Sequence, residues 1–206
     1  MRSEAITALR VTIVTLILTG LVYPFAMTGL AQALFHNRAN GSLVRDEAGM
    51  VVGSELIGQA FTKPAYLQGR PSAAGNNGYD ATSSSGSNFG PTSKKLRDRV
   101  TADVERLHKE NPEAPLPVPT DLVTTSASGL DPDLSPQAAL WQVPRIARAR
   151  QISPDRVESV IERAIQARDL GLFGEPRVNV LAANLALDQQ FGKPASPSGP
   201  AAASTK

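Results

Sequence analysis

The stretch from Val11 to Phe35 contains no charged residue, and it constrains the chain more than any other feature. As an α-helix these 25 positions rise roughly 37 Å. The hydrocarbon core of a bilayer is about 30 Å thick, so such a helix crosses it with some tilt. Ala31-Gln32-Ala33 has the small-x-small form of a signal cleavage site. A signal h-region, however, runs only about 7 to 15 residues. Residues 1–35 are therefore read as a retained transmembrane anchor helix. Arg2 and Arg10 precede the run, whereas His36, Arg38 and Arg45 follow it and weaken the bias. The positive-inside rule still points to a cytoplasmic N-terminus, because the first helix usually dominates. Residues 36–191 then form an extracytoplasmic soluble domain. Residues 192–206, mostly Pro, Ala, Ser and Gly, read as a disordered tail.

The apolar run carries residues that a plain anchor does not need. Thr12, Thr15 and Thr19 recur on one helical face, and Gly29 and Ala33 make a small-xxx-small pair. Small faces let helices approach closely in lipid, so these five positions are expected to pack against a partner helix. Pro24 removes a backbone donor and is expected to kink the helix.

Beyond Gly41-Ser42 the pattern becomes mixed, and the fold class is α+β: the N-terminal transmembrane helix, then a small soluble domain with a few short strands and about four helices. Leu43–Arg45 and Met50–Val52 flank Asp46-Glu47-Ala48-Gly49, a β-hairpin signal. Residues 69–91 are rich in Gly, Ser and Asn and contain no large aliphatic side chain. Composition alone would make them a linker. Arg70, Tyr79, Asp80 and Asn88 interrupt that composition with groups that anchor loops, so the segment is expected to be ordered and to face a partner. Leu96, Val100, Val104 and Leu107 define a helix from about Ser93 to Lys109. Asp121–Thr125 reads as a strand. Ser135-Pro136 starts a helix that should run to about Arg150 and bend or break at Pro144. Ser153-Pro154 starts another, with Val157, Val160, Ile161, Ala164 and Ile165 on its buried face, closed by Leu170-Gly171. An apolar helix from about Val180 to Gln190 ends the domain.

The chain offers little catalytic chemistry. It has no cysteine, which excludes disulfides, thiolate metal sites and a Cys nucleophile. Its two histidines, His36 and His108, lie far apart in sequence without a metal-spaced acidic cluster. There is no P-loop and no nucleophile elbow. A net charge of +2 spread without a basic stripe gives no support for nucleic-acid binding. Arg145, Arg148 and Arg150 are expected on a solvated helix face. A catalytic site and a bound metal are expected to be absent.

Several stretches, in order, resemble the C subunit of the bacterial Kdp-type potassium-transporting P-type ATPase. They include Leu21-Val22-Tyr23-Pro24, Gly53–Gln59, Gly69-Arg70-Pro71-Ser72-Ala73 and Gly78-Tyr79-Asp80. Gly86–Ser93, Asp121–Thr124, Ser126–Pro132, Gln142–Ala147 and Gly174–Leu181 complete the set, over residues 5 to about 190. The resemblance implies a non-catalytic accessory subunit of a high-affinity ATP-driven potassium uptake complex in the bacterial inner membrane. It implies two partners, a channel-like potassium-binding subunit and an ATP-hydrolysing P-type subunit, alongside membrane lipid. It also implies a catalytic-chaperone effect on ATP use. If ATP were shared with this chain, the Ser126-Ala127-Ser128-Gly129 turn with Gln137 and Gln142 is the expected contact, because turn amides near a helix start favour phosphate. Two other classes stay open on the residues alone: a membrane-anchored extracytoplasmic hydrolase, and a secreted ligand-binding protein released after Ala33.

Overall fold

The computed structural model describes residues 2–46 and 48–194; the expected disordered tail lies, beyond Pro194, outside the described residues. The chain divides into two compact units, one through Ser54 and one from Glu55.

In the first unit, α1 (Arg2–Ile17), a π-turn (Leu18–Val22) and α2 (Tyr23–Leu34) follow without interruption. Together they make one helix of 33 residues, apolar enough and long enough to cross a membrane. None of its described residues is buried. The disturbance expected at Pro24 takes the form of the π-turn. Proline has no N–H, and its ring crowds the carbonyl four residues earlier, which a widened turn relieves. After the short α3 (His36–Ala39), β1 (Leu43–Arg45) and β2 (Val51–Ser54) pair as the expected antiparallel hairpin, with a bulge between Val44 and Arg45. Asp46 shapes the turn: its Oδ1 accepts from the amides of Ala48 (3.0 Å) and Met50 (2.9 Å).

The second unit is built on α4 (Lys94–Glu110), α5 (Pro136–Trp141), α6 (Val143–Arg150), α7 (Pro154–Arg163) and α8 (Val180–Phe191). Three very short strands, β3 (Asp133–Leu134), β4 (Ile165–Gln166) and β5 (Arg177–Asn179), form an antiparallel sheet in the order β3-β5-β4. Ser93, Ser135 and Asn179 cap α4, α5 and α8 by accepting from the amides of Leu96, Ala138 and Ala182. The core gathers Leu67, Ile146, Val157, Ile161, Val178 and Leu187, all fully buried. Each such side chain contributes about 1.5–3 kcal/mol on leaving water.

The helix expected from Ser135 to Arg150 is broken at Pro144, as the sequence led one to expect: it is two helices meeting at Gln142, because Pro144 cannot donate to the first. Two sequence expectations change here. Asp121–Thr125 is not a strand. Thr120–Leu122 form a 3-10 turn, and the Thr124 amide and hydroxyl both donate to the Thr120 carbonyl at 3.0 and 2.9 Å. The Asp121 carboxylate accepts from the Ser135 amide at 2.9 Å. Thr and Asp side chains offer the backbone these local partners in competition with a ladder. Finally, Ile165 leaves the face of α7 to pair with Val178.

Candidate functional site

The segment 69–91 is held against residues 124–131 by hydrogen bonds that its small polar residues make possible. Ser72 is the centre. Its Oγ donates to the Gly129 carbonyl at 2.6 Å and accepts from the amides of Tyr79 (2.7 Å) and Ala74 (3.2 Å). The Tyr79 hydroxyl donates to the Arg70 carbonyl at 2.6 Å. Arg70 reaches Asp131 at 3.2 Å and the Thr124 hydroxyl at 3.2 Å. Farther along, Ser84 donates to the Ser128 carbonyl and Thr125 to the Ser87 hydroxyl, each at 3.0 Å. The glycines are required by the close approach. At Gly129, with φ +69°, a Cβ would lie 2.6 Å from the Ser85 carbonyl oxygen. At Gly86 it would lie 2.9 Å from that of Ala127. The composition that resembles a linker is the composition that lets two backbones touch.

Of the four loop residues singled out from the sequence, Arg70 and Tyr79 turn into this scaffold. Burial, then the nearby Asp131 charge, raises the Tyr79 phenol above its ordinary pKa, with Arg70 opposing. Asp80 is exposed and caps the 3-10 turn Ala81–Ser83, accepting from the Thr82 hydroxyl (2.6 Å) and amide (2.9 Å). Those bonds, the hydroxyl's first, lower its pKa. Asn88 is exposed and sits in the left-handed region at φ 52°.

The residues proposed for nucleotide do not converge on one open surface. Ser126 and Gly129 are buried beneath the loop, and the Gly129 amide already donates to the Ser126 carbonyl at 3.3 Å. Ser128 Oγ accepts from the Leu130 amide at 3.1 Å. Gln137 is exposed on α5. Gln142 is buried, and its carboxamide is fully engaged: Nε2 donates to the Gln68 carbonyl (3.0 Å), and Oε1 accepts from the Gln68 amide (2.9 Å) and from Arg145 Nη2 (2.5 Å).

In the long N-terminal helix, Thr19 Oγ1 donates to the Thr15 carbonyl at 2.7 Å, so this hydroxyl is satisfied within its own helix. Thr12, Thr15, Gly29 and Ala33 lie on α1 and α2, and a Cβ added at Gly29 would meet nothing within 4 Å. Among the described residues no group of His, Asp and Glu is arranged to hold a metal ion.

The family model of the K+-transporting ATPase c chain, KdpC, matches residues 5–189. This chain belongs to the KdpC family. It is 59% identical to a potassium-transporting ATPase KdpC subunit of Myxococcus xanthus over 192 residues, which cover 93% of this chain and 90% of that protein. A KdpC subunit of Methylobacterium nodulans is 58% identical over 188 residues, covering 86% and 92%. One of Caulobacter vibrioides is 55% identical over 175 residues, covering 85% and 87%.

Sequence reasoning misplaced two arginines of this KdpC-family chain. Arg145 is buried and the Arg150 side chain is only 3% exposed, so neither lies on a solvated face; only Arg148 of the three has a substantially exposed side chain. Arg150 meets Asp188 at 2.7 Å, with the two side chains 3% and 13% exposed, and donates to the carbonyls of Ala65 (2.8 Å) and Gly192 (2.9 Å). The one signal available was spacing: Gln142 and Arg145 stand three apart and share a helical face.

Proposed function

We propose that this chain is the non-catalytic C subunit of a Kdp-type potassium uptake complex, anchored by α1 and α2 in the bacterial inner membrane. The observation that carries the reading is the KdpC match over residues 5–189 together with relatives at 55–59% identity across most of their length. The N-terminus is cytoplasmic, by the arginines at positions 2 and 10, and the domain 36–191 stands outside, followed by the tail 192–206. The partners are a channel-like potassium-binding subunit and an ATP-hydrolysing P-type subunit. Thr12, Thr15, Thr19, Gly29 and Ala33 form the face that meets a partner helix in the membrane. The exposed parts of the loop, Asp80 and Asn88, meet a partner outside it, while Arg70 and Tyr79 hold the loop in shape.

ATP use is altered through assembly. A direct contact would have to use Ser126, Ser128, Gly129, Gln137 and Gln142, whose amides and carboxamide are largely engaged within the domain. It would also place this domain on the same side of the membrane as ATP. Neither the hydrolase nor the secreted-binder reading has support.

The test is purification of the tagged full chain from native membranes. Both partner subunits should accompany it, and protease added outside spheroplasts should digest residues beyond Phe35. Removal of the chain should weaken the apparent ATP affinity of the ATPase. A chain that purifies alone, or whose domain resists external protease, overturns the reading.

A further inference from the structure

Arg145 is only 4% exposed, yet among the described residues it forms no ion pair. Both of its protein hydrogen bonds come from Nη2, to the Gln142 carboxamide oxygen (2.5 Å) and the Tyr66 carbonyl (3.2 Å). Its Nη1 is buried and has no partner. Buried charges are ordinarily paired, because hydrogen bonds to neutral groups recover only part of the lost hydration. Arg145 lines a cavity of about 350 Å³, with Thr62, Gln68, Glu110 and Arg148 among the other lining residues. The two arginines and one glutamate leave this lining with a net charge of +1. The glutamate is itself occupied, since Glu110 pairs with Arg106 at 3.0 Å. Arg148 is the more exposed cation, anchored through Nη2 to the Glu110 carbonyl at 2.7 Å and through Nη1 to Glu113 at 3.3 Å.

We infer that this cavity is an oxyanion site, taking a carboxylate or phosphate group between Arg145 and Arg148. A guanidinium presents donors in a planar fork that matches such groups, and charge-assisted bonds to it are the strong ones. Thr62 and Gln68 also line the cavity, with Gln68 Nε2 donating to the Thr62 carbonyl at 3.4 Å. The electrostatics agree with the geometry. Burial holds the Arg145 pKa down to about 10, with Arg106 and Arg148 adding repulsion and Glu110 the only acid opposing. An anion in the cavity supplies Arg145 with a countercharge as well as a hydrogen-bond acceptor, whereas a water molecule supplies the acceptor alone. The oxyanion is either a free ion or a carboxylate side chain of another subunit, and the site chemistry is the same for both.

The full chain in detergent, titrated with sodium phosphate, sodium acetate and sodium chloride at matched ionic strength, tests this. Its thermal midpoint can be followed by the fluorescence of Trp141, the sole tryptophan. The midpoint should rise saturably with phosphate and acetate but not with chloride, with half-saturation on the order of 1 mM. Arg148→Gln should keep the fold and weaken the response about tenfold, the worth of one charge-assisted bond. Arg145→Gln should abolish it; should that variant fail to fold, Arg148→Gln alone decides. A wild-type response no larger than that to chloride, or an Arg148→Gln response equal to wild type, overturns the proposal. The source is read from phenylglyoxal labelling of Arg148. Protection that needs added phosphate in both the free chain and the native complex identifies a free ion. Protection in the complex without phosphate identifies a partner's carboxylate.

Discussion

Replacing Asp188 by Asn removes one charge from the Arg150–Asp188 pair and almost no volume. The two side chains are 3% and 13% exposed and meet at 2.7 Å. At an effective dielectric constant near 20, unit charges about 4 Å apart attract by about 4 kcal/mol. After the substitution Arg150 stays buried and charged. It keeps the carbonyls of Ala65, Gly192 and Leu187 as acceptors and its place over the Tyr66 ring, 5.1 Å from the centroid. Those contacts put the loss at the lower end of the range for breaking a buried pair, about 3 kcal/mol. Against a total stability of about 5–15 kcal/mol this is large, and corresponds to roughly 6–12 °C in the midpoint of a domain this size. Urea unfolding of the full chain, read from Trp141, should show the loss as a lower midpoint with an unchanged slope. Glu175→Gln, which opens the exposed pair with Arg168, is the control and should cost under about 0.5 kcal/mol. Arg150→Met should cost at least as much as Asp188→Asn. The double substitution Arg150→Met with Asp188→Asn should cost less than the sum of the singles, because it leaves no lone charge behind. A loss below about 1 kcal/mol for Asp188→Asn would show that this pair behaves as a surface pair, and the argument from burial would fail.

Other perturbations probe the loop scaffold and the aromatic network. Ser72→Ala removes the hydroxyl that joins Gly129, Ala74 and Tyr79, and should cost about 1–3 kcal/mol in the same urea assay; a neutral result would mean that the loop is not held there. Gly129→Ala places a methyl 2.6 Å from a carbonyl oxygen at positive φ and should cost about 3 kcal/mol or more, with residues 69–91 becoming protease-sensitive. Tyr66 is raised to about 12 by burial first, then by its hydrogen bond to Asp188 and repulsion from it, against Arg150. The unfolded phenol loses its proton near pH 10 and the folded one near 12, so the unfolded state binds fewer protons in that window and Tyr66 contributes less stability as pH rises through it. The stability advantage of wild type over Tyr66→Phe should therefore shrink between pH 10 and 12, and a constant difference across that range would refute the assignment. Thr15→Leu with Thr19→Leu should lower the yield of the assembled complex while leaving insertion intact; normal yield would remove the packing face from the proposal.

What the sequence determines here is whatever depends on local pattern and on single-residue chemistry. A long uncharged apolar run with no turn signal reads as one continuous helix, and α1, the π-turn and α2 occupy it as far as Leu34. Ser93, Ser135 and Pro144 carry their instructions in their own atoms, as a cap, a cap and a missing donor, and α4, α5 and α6 begin or break where they stand. The tertiary structure decides where a residue's meaning depends on a partner distant in the chain. β3 and β4 are two residues long and have no period of their own; they exist because β5 lies between them. Asp121–Thr125 has strand composition, but the Ser135 amide and the Thr120 carbonyl claim its polar groups and wind it into a turn. The Gly- and Ser-rich loop reads as a linker until Gly129 and Ser72 are seen to let two backbones meet. Arg145 and Arg150 show the limit most plainly. A cation on a short helix is solvated by default, and only the arrival of Gln68, Tyr66 and Asp188 from remote segments makes its burial possible.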